Sequence, residues 1–258
     1  MRLAAPFETL FTHQNDLQEA AVSVAISCFK YGNEANEAMA TLLRQTEPCM
    51  NLVIVDDCSP DNSVAVMQAW LTEFGQSPKF ANITLVRHRR NQGLSQSRNT
   101  ALSLITTPYI MILDADNQLY PRAVEKLRQA IEASGYAMAY SLVERFGDDD
   151  GLISSWLWDP ELFRYGNYID AMALIRTDVL RTLGGYRIMP DRFGWEDYDL
   201  WCSFVDHGLK GCYVPQVLCR YRVHAASMTQ NLTNPFISDK LAVVREDLKA
   251  HHKLDFAF

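Results

Sequence analysis

The chain has 258 residues, 48% hydrophobic and 21% charged, with a formal net charge of −7. This suits a globular protein of one large or two small domains with a substantial core, and the acidic balance argues against a general nucleic-acid binder, which needs a basic stripe to release counterions. No apolar run nears the roughly 20 residues that span a bilayer, and the first 20 residues carry Glu8, Asp16 and Glu19 in place of a signal-peptide pattern. The expectation is therefore a cytoplasmic protein with no integral membrane segment and no nucleic-acid partner. Six cysteines, at 28, 49, 58, 202, 212 and 219, form no C-x-x-C pair and are expected as reduced thiols. In such a compartment the sequons at Asn82 and Asn231 carry no weight.

In chain order, residues 1–20 are expected as an N-terminal extension. Residues 22–28 have the composition of a strand and 33–45 helical character. Residues 51–56 form an apolar strand ending in Asp56-Asp57, after which Asp61 or Asn62 caps a helix running to about Phe74. Residues 83–86 make a third strand, 95–105 a third helix and 109–113 a fourth strand. Such alternation predicts parallel strands joined by crossover helices, with function at the strands' carboxyl ends. Beyond about residue 135 the alternation becomes irregular. Residues 137–144 are strand-like and 146–168 are an aromatic loop containing the solvated turn Asp148-Asp149-Asp150. Trp195-Glu196-Asp197-Tyr198-Asp199 then opens a helix with the apolar stripe Leu200, Trp201, Phe204 and Val205, which Gly208 ends. Residues 210–223 are strand-like, and 235–253 form a terminal amphipathic helix on which His251-His252 is a chance pair.

Chemistry concentrates at three places. Tyr109 to Leu113 is apolar, follows Pro108 and ends in Asp114-Ala115-Asp116-Asn117, as a strand buried on both faces would on reaching a site. Side chains i and i+2 share a face of an extended backbone, so Asp114 and Asp116 can converge on one cation, or on a ribose and a cation. Two unpaired carboxylates there would repel, which calls for positive charge beside them; taken alone, the pair equally fits a solvated turn. Asp56-Asp57-Cys58-Ser59-Pro60-Asp61 fits both a tight turn with a helix cap and a carboxylate that binds a nucleotide base or ribose. In Asn91-Gln92-Gly93-Leu94-Ser95-Gln96-Ser97-Arg98-Asn99, a glycine at a helix N-terminus and an arginine suit an anionic ligand. Neither a G-x-G-x-x-G after the first strand nor a P-loop is present.

These pieces together resemble the family 2 glycosyltransferases, inverting enzymes of the GT-A fold. The resemblance runs from about Val22 to Thr229 through Val24-Ala25-Ile26-Ser27-Cys28-Phe29, Val55-Asp56-Asp57-Cys58-Ser59, Asn91 to Asn99, Leu113-Asp114-Ala115-Asp116-Asn117, Gly184-Gly185-Tyr186, Glu196-Asp197 and Tyr221-Arg222-Val223-His224. Cys58 stands where the family often has glycine, and Ser97 precedes the arginine where alanine is common.

The resemblance implies an α/β GT-A fold, a Rossmann-like and mostly parallel central sheet flanked by helices with a smaller acceptor-side lobe. That domain would span 21–230, its nucleotide-binding part about 21–117 and its acceptor part about 118–230, with 231–258 as a helical tail. By the same resemblance Ser27, Phe29, Asp56, Asp57, Asn91, Gly93, Arg98, Asp114 and Ala115 bind the nucleotide-diphosphate sugar donor. Asp116 and His224 hold Mn²⁺ or Mg²⁺, Asp197 is the base, and Glu196 is an acceptor-site or orienting group. Ala225 to Thr229 forms a flap over the donor. Trp156, Trp158 and Trp195 are candidates for stacking on acceptor sugars, although aromatics here, Phe163, Tyr165 and Tyr168 included, equally fill a core. The expected reaction is metal-dependent, inverting transfer from a UDP-sugar to a hydroxyl of a glycan or glycolipid precursor, with any membrane attachment through a partner and the oligomeric state open. The alternative is a non-catalytic nucleotide-sugar or glycan-binding module of a larger assembly. A sugar-phosphate nucleotidyltransferase would want a glycine-rich, arginine-containing loop where this chain has Cys28-Phe29-Lys30-Tyr31-Gly32.

Overall fold

The computed structural model describes residues 4–15, 19–190, 194–225, 227 and 237–258, the side chains of 237–240 excepted. Ten strands among them form one mixed sheet: β1 (Phe7–Gln14), β2 (Val22–Cys28), β3 (Met50–Asp56), β4 (Phe80–His88), β5 (Tyr109–Asp114), β6 (Gln118–Leu119), β7 (Met138–Gly147), β8 (Gly151–Ile153), β9 (Leu174–Arg176) and β10 (Gly211–Val223). Seven α-helices flank it: α1 (Gly32–Leu43), α2 (Ser63–Phe74), α3 (Leu94–Leu104), α4 (Ala123–Ser134), α5 (Thr177–Thr182), α6 (Glu196–Asp206) and α7 (Ile237–His251). The sheet order is β1-β4-β3-β2-β5-β9-β7-β10-β6, with β8 on β7. The expected α/β architecture is present.

β2, β3, β4 and β5 run parallel, joined by crossovers through α1, α2 and α3. Both faces of this layer are covered, so alternate residues of one strand enter different cores. Val24, Ile26, Leu52, Ile54, Met111 and Leu113 pack with Met39 and Leu42 of α1 and Trp70 and Leu71 of α2. Ala25, Val53, Val55, Ile110 and Ile112 pack on the other side with Leu102 of α3 and Leu200, Trp201 and Phe204 of α6.

Several local expectations change. Residues 1–20 supply an edge strand, β1, antiparallel to β4. The loop at 146–168 contains β8 and a short 3₁₀ turn over Pro160–Arg164. Asn62 is the N-cap of α2 but makes no side-chain cap bond; Asp61 Oδ1 instead accepts from Ser63 N at 3.1 Å. The proposed flap retains Ala225 and Ser227 among the described residues, whereas 226, 228 and 229 lie outside them. So do 231–236, with the second sequon and Pro235.

Candidate active site

The parallel register assembles the site. Ser27 sits beside Val55 and Asp114, and Cys28 beside Asp56, so the carboxyl ends of β2, β3 and β5 meet at one edge. A cavity of about 790 Å³ opens there, within the size range of small-molecule sites. Of the predicted donor residues, Ser27, Phe29, Asp57, Asn91, Gly93, Arg98, Asp114 and Ala115 line it, as do Asp116, Trp195, Glu196 and Asp197.

Asp57 acts on the protein itself. Its Oδ1 accepts from Gln92 N and lies 2.7 Å from His88 Nδ1, while Oδ2 accepts from Gly93 N at 2.7 Å. The carboxylate thus fastens the turn that starts α3. That turn needs a glycine, because Gly93 caps α3 at φ 89°, where a Cβ is strained. Asp57 lines the cavity as well as anchoring this loop. Asp56 is fully buried. Its Oδ2 accepts from Ser59 N at 3.0 Å and pairs with Arg87 at 3.3 Å, and Oδ1 has no partner among the described residues.

Arg98, expected to meet an anionic ligand, lines the cavity and also pairs with two carboxylates of this chain. Buried in α3, it donates from Nη1 to Glu196 Oε1 at 2.5 Å and from Nη2 to Asp114 Oδ1 at 2.8 Å. Its guanidinium carbon lies 5.3 Å from the Tyr186 ring centre. Tyr186 is held by Asn99, whose amide accepts from Tyr186 N and donates to Tyr186 O. The Gly184-Gly185-Tyr186 motif thus places the ring against Arg98.

Asp116 leaves β5 on the cavity side. Its Oδ2 lies 3.1 Å from His224 Nε2, just past β10. Burial first, then the Asp114 charge, pushes the Asp116 carboxyl up to about 6. Arg222, whose Nε donates to Asp116 O at 2.9 Å, fixes the backbone. A carboxylate oxygen on the cavity wall with an imidazole nitrogen beside it, His224 itself lying outside the lining, fits a divalent first-row cation. Among the described residues no group of three or more His, Cys, Asp or Glu converges on a metal position.

Asp197 stands in the first turn of α6. Its Oδ2 accepts from Asn167 Nδ2 at 2.8 Å and Oδ1 from Tyr198 N at 2.8 Å. Burial raises its carboxyl to about 6 despite the counter-charge of Arg98, and burial likewise raises Glu196 to about 7. A carboxylate poised near neutrality can take a proton. Trp195, just before it, holds φ at 77°, an unusual conformation for a bulky residue. It lies edge-on to Tyr198 and Phe258.

The other tryptophans behave differently. Trp158 packs on Phe163 and Phe204, and Trp156 is exposed outside the cavity, its carbonyl accepting from Tyr140 Oη. Sequence reasoning passed over Asn167 and Asp170, which both line the cavity. Their only signal is polarity within an aromatic, irregular stretch.

The pattern of the family described as Glycosyl transferase family 2 matches residues 23–186. The UDP-Glc:alpha-D-GlcNAc-diphosphoundecaprenol beta-1,3-glucosyltransferase WfaP of Escherichia coli is 24% identical over 234 residues, 90% of this chain and 89% of its own. Staphylococcus aureus TarS 1–349, solved with UDP-GlcNAc, superposes with a TM-score of 0.71 at 12% identity, covering 90% of this chain and 67% of that one. The chain spans 40% of a longer TarS chain. Mannosyltransferase PcManGT of Pyrobaculum calidifontis, solved with GDP-Man and Mn²⁺, gives 0.63 at 16% identity over 94% of this chain and 79% of its own. At these identities the structures establish the fold. Since the family pattern covers more than half of the sequence and its motifs meet in one cavity, this chain belongs to glycosyl transferase family 2 and is a glycosyltransferase.

Proposed function

We propose that the protein transfers a sugar, with inversion, from a nucleotide-diphosphate donor to a hydroxyl of a glycan or lipid-linked glycan precursor. The observation that carries this reading is that Asp116, in the turn just past β5 and beside His224, and Asp197 of α6 reach one cavity. A single displacement requires a leaving group anchored on one side of the anomeric carbon and a base on the other. Asp116 and His224 would hold Mn²⁺ or Mg²⁺, which supplies positive charge to the departing diphosphate. Asp197 Oδ2 takes the proton of the attacking hydroxyl, and Asn167 orients that carboxylate. Arg98 keeps Glu196 and Asp114 in place.

A UDP donor is supported by the UDP-Glc in the name of the WfaP relative and by the UDP-GlcNAc bound to TarS. A lipid-linked acceptor is supported by the substrate in the name of the WfaP relative. Among the described residues no helix is long and apolar enough to cross a membrane, and we propose that a partner supplies any membrane attachment. The rival reading, a non-catalytic binding module, has no use for a base in this position.

The test is transfer from UDP-sugars with Mn²⁺ present, with the product's anomeric configuration read by NMR. Inversion is expected, and retention of the donor's configuration would refute the mechanism.

A further inference from the structure

Asp170 is a cavity-lining carboxylate that the proposed reaction leaves unused. It precedes β9, which pairs antiparallel with β5 through Tyr109↔Arg176, Ile110↔Ile175 and Met111↔Leu174. The pairing continues one step further, where Ile112 N donates to Ala173 O at 3.3 Å. Beyond Ala173 the chain bends, Ala173 N donating to Ala171 O at 2.8 Å, and Asp170 reaches the cavity that Asp114, Ala115 and Asp116 also line.

The preceding residues tie the same loop to the catalytic helix. Asn167 Nδ2 donates to Asp197 Oδ2 at 2.8 Å, and Trp201 Nε1 to Ile169 O at 3.1 Å. Asp170 itself is fixed, because its amide donates to Ser154 Oγ at 2.7 Å and its Oδ1 accepts from Met172 N at 2.9 Å. Oδ2 has no donor among the described residues. The carboxylate therefore shares one cavity with Asp116 and with Asp197, the two groups between which the proposed in-line displacement must hold the sugar ring.

A half-buried carboxylate in a cavity that Asp114 and Asp116 also line is costly unless it accepts hydrogen bonds. Sugar hydroxyls are neutral donors that meet this need. We propose that Asp170 Oδ2 accepts a hydroxyl of the transferred sugar and so selects the donor sugar. The proposal rests on the nucleotide-sugar reading above.

Calorimetry separates the possibilities, using UDP, GDP, UDP-glucose, UDP-N-acetylglucosamine and GDP-mannose with Mn²⁺. The variants are Asp170→Asn, which keeps an oxygen for Met172 N, and Asp170→Ser, whose hydroxyl offers the same contact should the first fail to fold. For the nucleotide sugar that the wild type binds best, affinity should fall about 10- to 100-fold, the range for a lost hydrogen bond to a charged group. Affinity for the matching free diphosphate should stay within about twofold. Monodeoxy analogues of that sugar should reveal one hydroxyl whose removal weakens the wild type and leaves the variant unchanged, because a site built to bond a hydroxyl rejects the analogue that lacks it. Equal weakening of sugar and free diphosphate would make Asp170 merely structural, and no weakening of either would remove it from the site; both overturn the proposal. A wild type that binds free diphosphate but none of the sugars would overturn the donor reading and this one with it.

Discussion

A guanidinium buried between two carboxylates is stable only while all three groups remain, because removing one strands the others without solvent or counter-charge. Arg98, Asp114 and Glu196 form such a triad. Arg98→Leu should destabilise the fold by about 3–5 kcal/mol in urea unfolding, and Arg98→Lys should recover only part, because one ammonium cannot reproduce two guanidinium contacts. Asp197→Asn should lower kcat by about 10²-fold or more with UDP affinity unchanged in calorimetry, as for a base acting in the transition state. Burial raises the Asp197 carboxyl, so its reactive, deprotonated form is present above about 6. Asp116 is raised to about 6 as well, so wild-type kcat/KM should fall by about tenfold to a hundredfold per pH unit below that value, since the proposed reaction needs both carboxylates ionised, a slope seen in initial rates. Asp116, His224 and Asp197 were legible as motif residues. The partners of Arg98 were not, since Asp114 and Glu196 stand 16 and 98 positions away.

At the scale of elements, the turn between β4 and α3 hangs on one side chain of the neighbouring β3–α2 loop. Asp57→Ala removes the acceptor for Gln92 N, Gly93 N and His88 together. Stability should fall by about 2–4 kcal/mol, since these bonds involve a charged, buried acceptor. UDP affinity should fall about tenfold, because α3 then presents a loosened N-terminus; unchanged UDP affinity in calorimetry would show that the turn does not shape the donor site. The four central parallel strands could be read from apolar runs because they are buried on both faces. β9 was missed because three residues carry no period, and β1 because its exposed and half-buried positions do not alternate cleanly.

The whole molecule is closed by its last residues, which fold back on α6. His252, taken from sequence as half of a chance pair, bridges Asp206 through Nδ1 at 2.7 Å and Asp199 through Nε2 at 2.9 Å. Arg187 joins Asp199 to Asp247 of α7, and Phe256 and Phe258 pack against Tyr198. Burial alone would lower the His252 pKa, but the hydrogen bonds and charges of Asp199 and Asp206 outweigh it and raise it. A raised imidazole contributes stability that is complete below its unfolded value of about 6.5 and is lost as pH rises through the folded value. Urea midpoints of the wild type should therefore fall from neutral to mildly alkaline pH, and His252→Gln should flatten that decline; identical slopes would exclude His252. Phe258→Ala should slow transfer while sparing UDP binding, because the Phe258 ring buttresses Trp195 just ahead of Asp197.

The sequence alone determined the α/β class and the strand ends that carry acids, because apolar period is a local property of the chain, while the resemblance of its motifs singled out Asp116, Asp197 and His224 for the roles proposed above. Only the tertiary structure decided what each charge does. It turned Asp57 into a loop clamp, Arg98 into a strut, His252 into a bridge and the terminal helix into a support for α6. These roles depend on which donors lie within about 3 Å across strand crossovers, a distance that sequence separation does not encode.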